Sequence, residues 1–195
     1  MYPFYYFPKL HFDASAIKEF IESVPKEYWK GPDISEYIDV PKKDHLADGK
    51  LFTLHNNNYN LLQCNEIKKL ADNFKIGNKP LYYQISIKKS ANGFKSPFHP
   101  LLQHPELDKR IGMKRTWDVI VPIQGGFQES PLEAIDTRTN EHYVLVPKGQ
   151  AFMVPADPLW HYSWKETVED FRYTVHIRGK HPVTYEYMKT YEQLK

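Results

Sequence analysis

The sequence predicts a single α+β domain, residues 1–195, in which helices come first and a β core follows. Two segments among the first 79 residues carry apolar side chains at helical spacing. After Pro80 the pattern changes to short alternating runs separated by tight turns at intervals of about ten residues. This pattern is typical of a sandwich, jelly roll or barrel. With 41% hydrophobic residues, the chain can bury one ordinary core.

Composition and charge narrow the classes of function. The 26 basic and 24 acidic residues are well mixed and give a net charge of +2, so a broad nucleic-acid surface is not indicated. The one cysteine, Cys64, excludes an internal disulfide and favours a reducing, cytoplasmic compartment. Residues 1–13 are apolar but lack the basic start of a signal peptide, and no apolar run reaches membrane-spanning length. The sequence therefore predicts a soluble protein without a membrane partner.

The first 79 residues are predicted to form an elaboration with one strand and two helices. Residues 2–10 alternate aromatic residues with prolines, which predicts a short edge strand. Asp13 or Ser15 can cap a helix that ends near residue 24. A second amphipathic helix is predicted over residues 59–74. Between the helices, residues 25–57 are rich in turn formers and are expected to hold at most short elements.

Seven strands are predicted after Pro80. In residues 81–88, Tyr83, Ile85 and Ile87 alternate with polar or aromatic residues at a period of two. Glycine turns and proline turns separate this strand from the others. The other six predicted strands are residues 116–123, 132–136, 142–146, 151–154, 160–164 and 172–177. Residues 185–194 are interpreted as a final helix.

The most informative stretch lies between residues 147 and 175. A turn and a strand are followed by a loop that ends in Leu159-Trp160-His161, and eleven residues after His161 an arginine opens the next strand in Arg172-Tyr173-Thr174. This arrangement resembles the second half of the core of the iron(II)- and 2-oxoglutarate-dependent oxygenases. Residues 90–99 and 115–126, which contain a glycine turn before His99 and a Gly-Gly turn, resemble the first half. The resemblance covers about residues 80–178.

The resemblance implies a double-stranded β-helix core, of the jelly-roll or cupin-like kind, over residues 80–178. The N-terminal helices would pack on its outer sheet, and residues 179–195 would form a tail. It also implies Fe(II) and 2-oxoglutarate as cofactors, with His161 as the distal iron ligand. Arg172 would anchor the far carboxylate of 2-oxoglutarate, because a guanidinium fork matches a carboxylate, and the Thr174 hydroxyl would be a further donor. Tyr83 or Tyr82, which point to opposite faces of one strand, is a candidate for the same carboxylate.

The first metal ligand departs from the family pattern, which is a histidine followed two residues later by a carboxylate. His99 is followed by a proline and a leucine, whereas His104 is followed two residues later by Glu106 but lies further along the loop. One alternative is that His104, Glu106 and His161 bind the iron, which the need for an anionic ligand favours. A second is that His99 and His161 bind it with Glu106, Asp108, water or halide. A third is that the metal has been lost.

Two further polar residues lie on predicted strands. His176 follows Arg172 by four residues on the same strand face, and it is either a border of the pocket or a core histidine. Asp118 alternates with Trp117 and is expected to face solvent.

The favoured function is therefore an iron(II)- and 2-oxoglutarate-dependent oxygenase, a hydroxylase of a small-molecule or peptidyl substrate. Two alternatives stay open. One is a metal-free β-helix domain that binds a ligand or partner. The other is a cupin-like metalloenzyme that does not use 2-oxoglutarate, which would leave Arg172 without a role. The substrate and the oligomeric state are not encoded in any motif, since specificity lies in loops such as residues 25–57 and 94–113.

Overall fold

The computed structural model describes residues 4–30, 50–76, 78–96, 99–100, 117–146, 149–156, 159–179 and 192–193. In this part of the chain, two α-helices accompany a set of antiparallel strands. The helices are α1 (Ala14–Ser23) and α2 (Asn65–Asp72). The strands are β1 (Tyr5–Tyr6), β2 (Leu51–His55), β3 (Lys75–Ile76), β4 (Lys79–Pro80), β5 (Tyr82–Ala91), β6 (His99–Pro100), β7 (Trp117–Gln124), β8 (Leu132–Asp136), β9 (Glu141–Leu145), β10 (Phe152–Pro155), β11 (Trp160–Trp164), β12 (Phe171–Gly179) and β13 (Glu192–Gln193).

Both helices begin where a side chain caps the backbone or the chain leaves an extended residue. Asp13 caps α1, because its carboxylate accepts a hydrogen bond from the Ala16 amide at 3.0 Å. The second helix is shorter than residues 59–74. The Asn60 side chain accepts from the Leu62 amide and starts a 3₁₀ turn, and Cys64 is extended, so α2 can begin only at Asn65. The predicted helix is confirmed over residues 65–72 and is wrong for residues 59–64 and 73–74.

The strands form two main sheets. One has seven strands in the order β13-β1-β10-β7-β12-β5-β2, and the other has four in the order β6-β11-β8-β9. The seven strands predicted after Pro80 are all present. The sequence did not predict β2, which pairs with β5, or the short strands β6 and β13. β13 pairs with β1, so a helix at residues 192–193 is wrong, and β1 lies between two strands rather than at an edge. Residues 185–191 lie outside the described residues.

Alternation along β12 directs its side chains into two different environments. Tyr173, Val175 and Ile177 pack in a cluster that contains residues of both helices. Its members from α1 and α2 are Ile17, Ile21, Ile67, Leu70 and Ala71. The intervening residues of β12 face the space between the two sheets. A second apolar cluster fills much of this space, and it contains Phe4, Ile120, Leu132, Ala134, Leu145, Phe152, Val154, Trp160 and Tyr162.

The two-sheet, jelly-roll type of core that the sequence predicts is therefore present in the described residues. None of the helices in this part of the chain has the length and apolar character needed to span a membrane.

Candidate functional site

A pocket lies between the two sheets, beside the second apolar cluster. Its free cavity is about 20 Å³, close to the room of one water molecule, because side chains fill most of the space. One wall is polar and comes from β5 and β12, and the other wall is apolar. The polar wall is formed by Lys88, Ser90, Arg172, Thr174 and His176, and the apolar wall includes Leu51, Phe94, Ile120, Leu132, Val154, Tyr162 and Trp164.

Arg172 is the centre of the polar wall. Its side chain is buried at 2% exposure, and the guanidinium carbon lies 4.4 Å from the centre of the Trp164 ring. Nη1 donates to Ser130 Oγ at 2.6 Å and to the Lys165 carbonyl at 3.2 Å. Nη2 is buried and has no hydrogen-bond partner among the described residues. Burial lowers the pKa of Arg172 to about 9, so the guanidinium stays charged at neutral pH.

The turn after β7 holds this arginine in place. Gly125 has a φ of +123°, and a Cβ there would lie 2.7 Å from the Cβ of Arg172. Glycine is therefore required at position 125 for two reasons, which are the positive φ of the backbone and the close approach of Arg172. Ser130, further along the same loop, donates to the Lys165 carbonyl at 2.7 Å while it accepts from Arg172. In the described part of the chain no carboxylate lies within ion-pair distance of Arg172, which leaves a buried cation whose charge is not compensated.

A row of buried polar side chains continues from the pocket along the inner face of the sheet. Thr174 Oγ1 lies 3.0 Å from His176 Nε2, and His176 Nδ1 lies 3.1 Å from Asp118 Oδ2. The same carboxylate oxygen accepts from Arg178 Nε at 3.4 Å, and Arg178 Nη1 donates to the Gln84 side chain at 2.9 Å. Asp118 is fully buried, so the expectation that it faces solvent is wrong. A buried ion pair with Arg178 on the neighbouring strand offsets the cost of that burial.

Comparisons with known proteins give a consistent answer for the fold. No protein-family model and no curated protein matches the chain. Among solved structures, a prolyl hydroxylase from Trichoplax adhaerens, in complex with a hypoxia-inducible-factor peptide fragment, is 12% identical and has a TM-score of 0.58; the match covers 85% of this chain and 75% of that chain. The non-heme α-ketoglutarate-dependent carbocyclase SnoK from nogalamycin biosynthesis is 10% identical, with a TM-score of 0.58 and coverage of 92% and 79%. An oxidoreductase of the 2OG-Fe(II) oxygenase family from Burkholderia pseudomallei is 8% identical, with a TM-score of 0.50 and coverage of 86% and 78%.

The chain has the fold of the 2-oxoglutarate- and iron(II)-dependent oxygenases. At these low identities the likeness concerns the fold alone, so the site has to be compared with the oxygenase expectation residue by residue.

The structure brings Arg172 and Thr174 together in one pocket. They are two residues apart on β12 and therefore share its inner face. Tyr83 is elsewhere. Arg172 pairs with Ser90, and Tyr83 lies seven residues away along β5, a separation of about 23 Å. Tyr83 also falls at the irregular end of the ladder, where Arg178 pairs with Gln84 and the next pair skips to Tyr82.

His161 lies on the face of β11 opposite to the pocket. Tyr162 and Trp164 line the pocket, and alternation turns His161, which pairs with Ile135, to the other side of the four-stranded sheet. The backbone of His99 pairs with that of Tyr162, so β6 runs beside β11. The remaining candidate ligands, His104, Glu106 and Asp108, lie outside the described residues.

Sequence reasoning missed four residues of the site, namely Lys88, Ser90, Ser130 and Trp164. For Lys88 a signal existed, because it ends the predicted strand 81–88 on the same face as Gln84 and Ser86. A lysine that is buried at 8% exposure on a central strand needs a partner or a ligand. Ser130 and Trp164 carry no local signal, because they reach Arg172 only through the packing of the two sheets.

The described residues fit a carboxylate ligand. The buried cation, the unpartnered Nη2 of Arg172 and the hydroxyl groups beside it are the groups that recognise such an anion. They do not by themselves supply a metal site, since no group of three His, Cys, Asp or Glu side chains in the described ranges could hold an ion.

Proposed function

We propose that this protein is an iron(II)- and 2-oxoglutarate-dependent oxygenase, a hydroxylase that acts on a small-molecule or peptidyl substrate. The observation that carries the proposal is Arg172, a buried cation with one half of its fork unpartnered, which faces a pocket between the sheets of an oxygenase fold. A peptide ligand is present in the Trichoplax prolyl hydroxylase complex, and a peptidyl substrate is one of the two classes proposed here.

Arg172 and Thr174 would bind the far carboxylate of 2-oxoglutarate. The guanidinium plane is fixed by the Trp164 ring on one side and by Ser130 at Nη1, so Nη2 is oriented before any ligand arrives. Preorganisation of this kind reduces the entropic cost of binding. Because the cavity is nearly filled, the ligand has to displace neighbouring side chains as it enters.

The metal would be held by His104 and Glu106, with His99 as the alternative first histidine, whereas β11 turns His161, the distal ligand that the resemblance implies, away from the pocket. Two imidazoles and one carboxylate are the ligand set that leaves positions open for a cosubstrate and oxygen. Iron(II) with 2-oxoglutarate supplies the activation of oxygen when both are bound. The contribution of the described residues is to orient the cosubstrate and to exclude water from it.

Calorimetric titration of 2-oxoglutarate into the protein with manganese(II) tests the proposal. In Arg172→Leu the affinity should fall by roughly ten- to a hundredfold, because charge-assisted hydrogen bonds contribute about 1.5–3 kcal/mol. Arg172→Lys should restore it only in part, since lysine supplies charge without a fork. Arg138→Leu, which removes an exposed arginine in the turn after β8, is the matched control and should bind as the wild type does. Absence of 2-oxoglutarate binding in the folded wild type would refute the proposed function.

A further inference from the structure

His176 lies in the polar wall of the pocket beside Thr174, Asp118 lies behind it, and the proposed function gives neither a role. His176 is 1% exposed, Asp118 is fully buried, and hydrogen bonds link both of them to Thr174. The contacts are a chain of two hydrogen bonds, from Thr174 Oγ1 to His176 Nε2 at 3.0 Å and from His176 Nδ1 to Asp118 Oδ2 at 3.1 Å. All three side chains in this series of hydrogen bonds lie on the inner face of β7 or β12.

The chain of hydrogen bonds determines where the protons lie. The Asp118 carboxylate, paired with Arg178, can only accept, so the proton of a neutral His176 is on Nδ1. Nε2 is then an acceptor, and the Thr174 hydroxyl donates its one proton to it. In this state Thr174 offers only oxygen lone pairs to the pocket. A carboxylate beside Arg172 would face those lone pairs and be repelled by them.

Burial favours the neutral form of His176 while the pocket contains no anion. Burial lowers the pKa of His176, Lys88 and Arg178 act in the same direction, and Asp118 opposes them. The charged groups that act on the ring are Asp118 from β7, Lys88 from β5 and Arg178 from β12, and Arg172 from β12 and Tyr162 from β11 line the same pocket. A carboxylate bound at Arg172 would add a negative charge to the same pocket, which favours the imidazolium form of the ring.

We propose that His176 is a positioning residue that acts through Thr174 and takes up a proton when a carboxylate binds at Arg172. The proton comes from solvent and is placed on Nε2. Nε2 then donates to Thr174, and the Thr174 hydroxyl is released to donate to the bound carboxylate. Asp118 accepts from Nδ1 in both states and holds the ring in position. The inference rests on the proposed function, because the carboxylate is taken to be that of 2-oxoglutarate.

Proton uptake is measured by titrating 2-oxoglutarate, in the presence of manganese(II), in buffers of low and high ionisation enthalpy. Between pH 8 and 6 both carboxylates of the ligand stay ionised, so the proton count belongs to the protein. The wild type should take up close to one proton at the lower end of this range. Its affinity should rise by up to tenfold for each pH unit by which the pH falls.

The variants assign the proton to His176. His176→Gln keeps hydrogen-bonding groups but cannot titrate, so uptake should vanish. Thr174→Val should abolish uptake as well, and Thr174→Ser should retain it. His142→Gln, at an exposed histidine on β9, is the control and should behave as the wild type. The ring nitrogen chemical shifts of the ligand-free wild type should show a neutral imidazole with its proton on Nδ1, a measurement that does not depend on any variant folding.

The outcomes separate the two proposals. Binding of 2-oxoglutarate without proton uptake, uptake that persists in His176→Gln, or a ligand-free tautomer with its proton on Nε2 would each overturn the role of His176 and leave the proposed function standing. No binding at any pH in this range would overturn both.

Discussion

At the scale of single residues, Arg172 uses only half of its hydrogen-bonding fork within the described protein. Nη1 is occupied by Ser130 and the Lys165 carbonyl, whereas Nη2 is buried without a hydrogen-bond partner among the described residues. Burying a guanidinium in this way is costly, and the Trp164 ring offsets only a part of that cost. The anionic ligand that we propose would supply the missing compensation. The contacts of Arg172 therefore favour a role in ligand binding over a purely structural role.

The metal ligands are the second question at this scale, and single alanine substitutions address it. We expect His104→Ala and Glu106→Ala each to weaken manganese(II) binding strongly, because the carboxylate compensates the charge of the ion. His99→Ala should have a mild effect. His161→Ala should also remove binding if His161 is the distal ligand. Calorimetry with manganese(II) measures all four variants.

His142→Ala is the control for this series, because it removes a histidine from the outer face of the four-stranded sheet. A large loss of manganese(II) affinity in His99→Ala with none in His104→Ala would assign the role of first metal ligand to His99 and not to His104. Metal binding that survives His161→Ala would agree with the orientation of β11 and remove His161 from the ligand set.

At the scale of elements, the cap of α1 joins the two helices. Asp13 accepts from the Ala16 amide through its side chain and donates its own backbone amide to Glu66 of α2 at 3.2 Å. Asp13→Ala removes the first of these hydrogen bonds and should lower the free energy of unfolding by about 1 kcal/mol. Urea denaturation measures the change.

Ser15→Ala provides the comparison, since the sequence offered either residue as the cap. Ser15 is exposed inside the first turn, so its replacement should change the free energy of unfolding by less than about 0.5 kcal/mol. Equal losses in the two variants would show that the cap is not confined to Asp13.

The elements that sequence reasoning found are those with a local pattern. Strands β8 and β11 match their predicted limits because alternation and turn residues bound them on both sides. Strand β2 was missed because its main partner, β5, lies some thirty residues later, and such a distant pairing leaves no local pattern in residues 51–55. The second helix was placed too early because its apolar spacing continues through residues that Asn60 and Cys64 hold outside the helix.

At the scale of the whole molecule, sequence reasoning could group only those residues of the site that lie on the same strand. Arg172, Thr174 and His176 share a face of β12, and alternation alone places them together. Lys88 and Trp164 join them through the pairing of β5 and the packing of β11, which no local pattern encodes. The same tertiary arrangement separates Tyr83 from the pocket and turns His161 away from it.

The buried polar row also makes the stability of the whole fold depend on pH. Burial lowers the pKa of His176 in the folded protein below its unfolded value of about 6.5. Above that pH the ring is neutral in both states and contributes no pH dependence. Below it the unfolded chain takes up a proton that the folded protein does not. The free energy of unfolding should therefore fall with decreasing pH, by at most about 1.4 kcal/mol per pH unit from this group.

Urea denaturation of the ligand-free protein between pH 8 and 5 measures this dependence, and His176→Gln isolates it. The curve of the variant should be flatter below pH 6.5 than that of the wild type, whatever its stability at pH 8, because the slope counts protons and not contacts. His142→Gln, which replaces a histidine that is 47% exposed on β9, is the control for the loss of an imidazole. Because carboxylate binding is proposed to protonate the same ring, saturating 2-oxoglutarate should reduce the loss of stability in the wild type and not in His176→Gln. Parallel curves for the wild type and His176→Gln would mean that protonation of His176 does not cause the loss of stability at low pH.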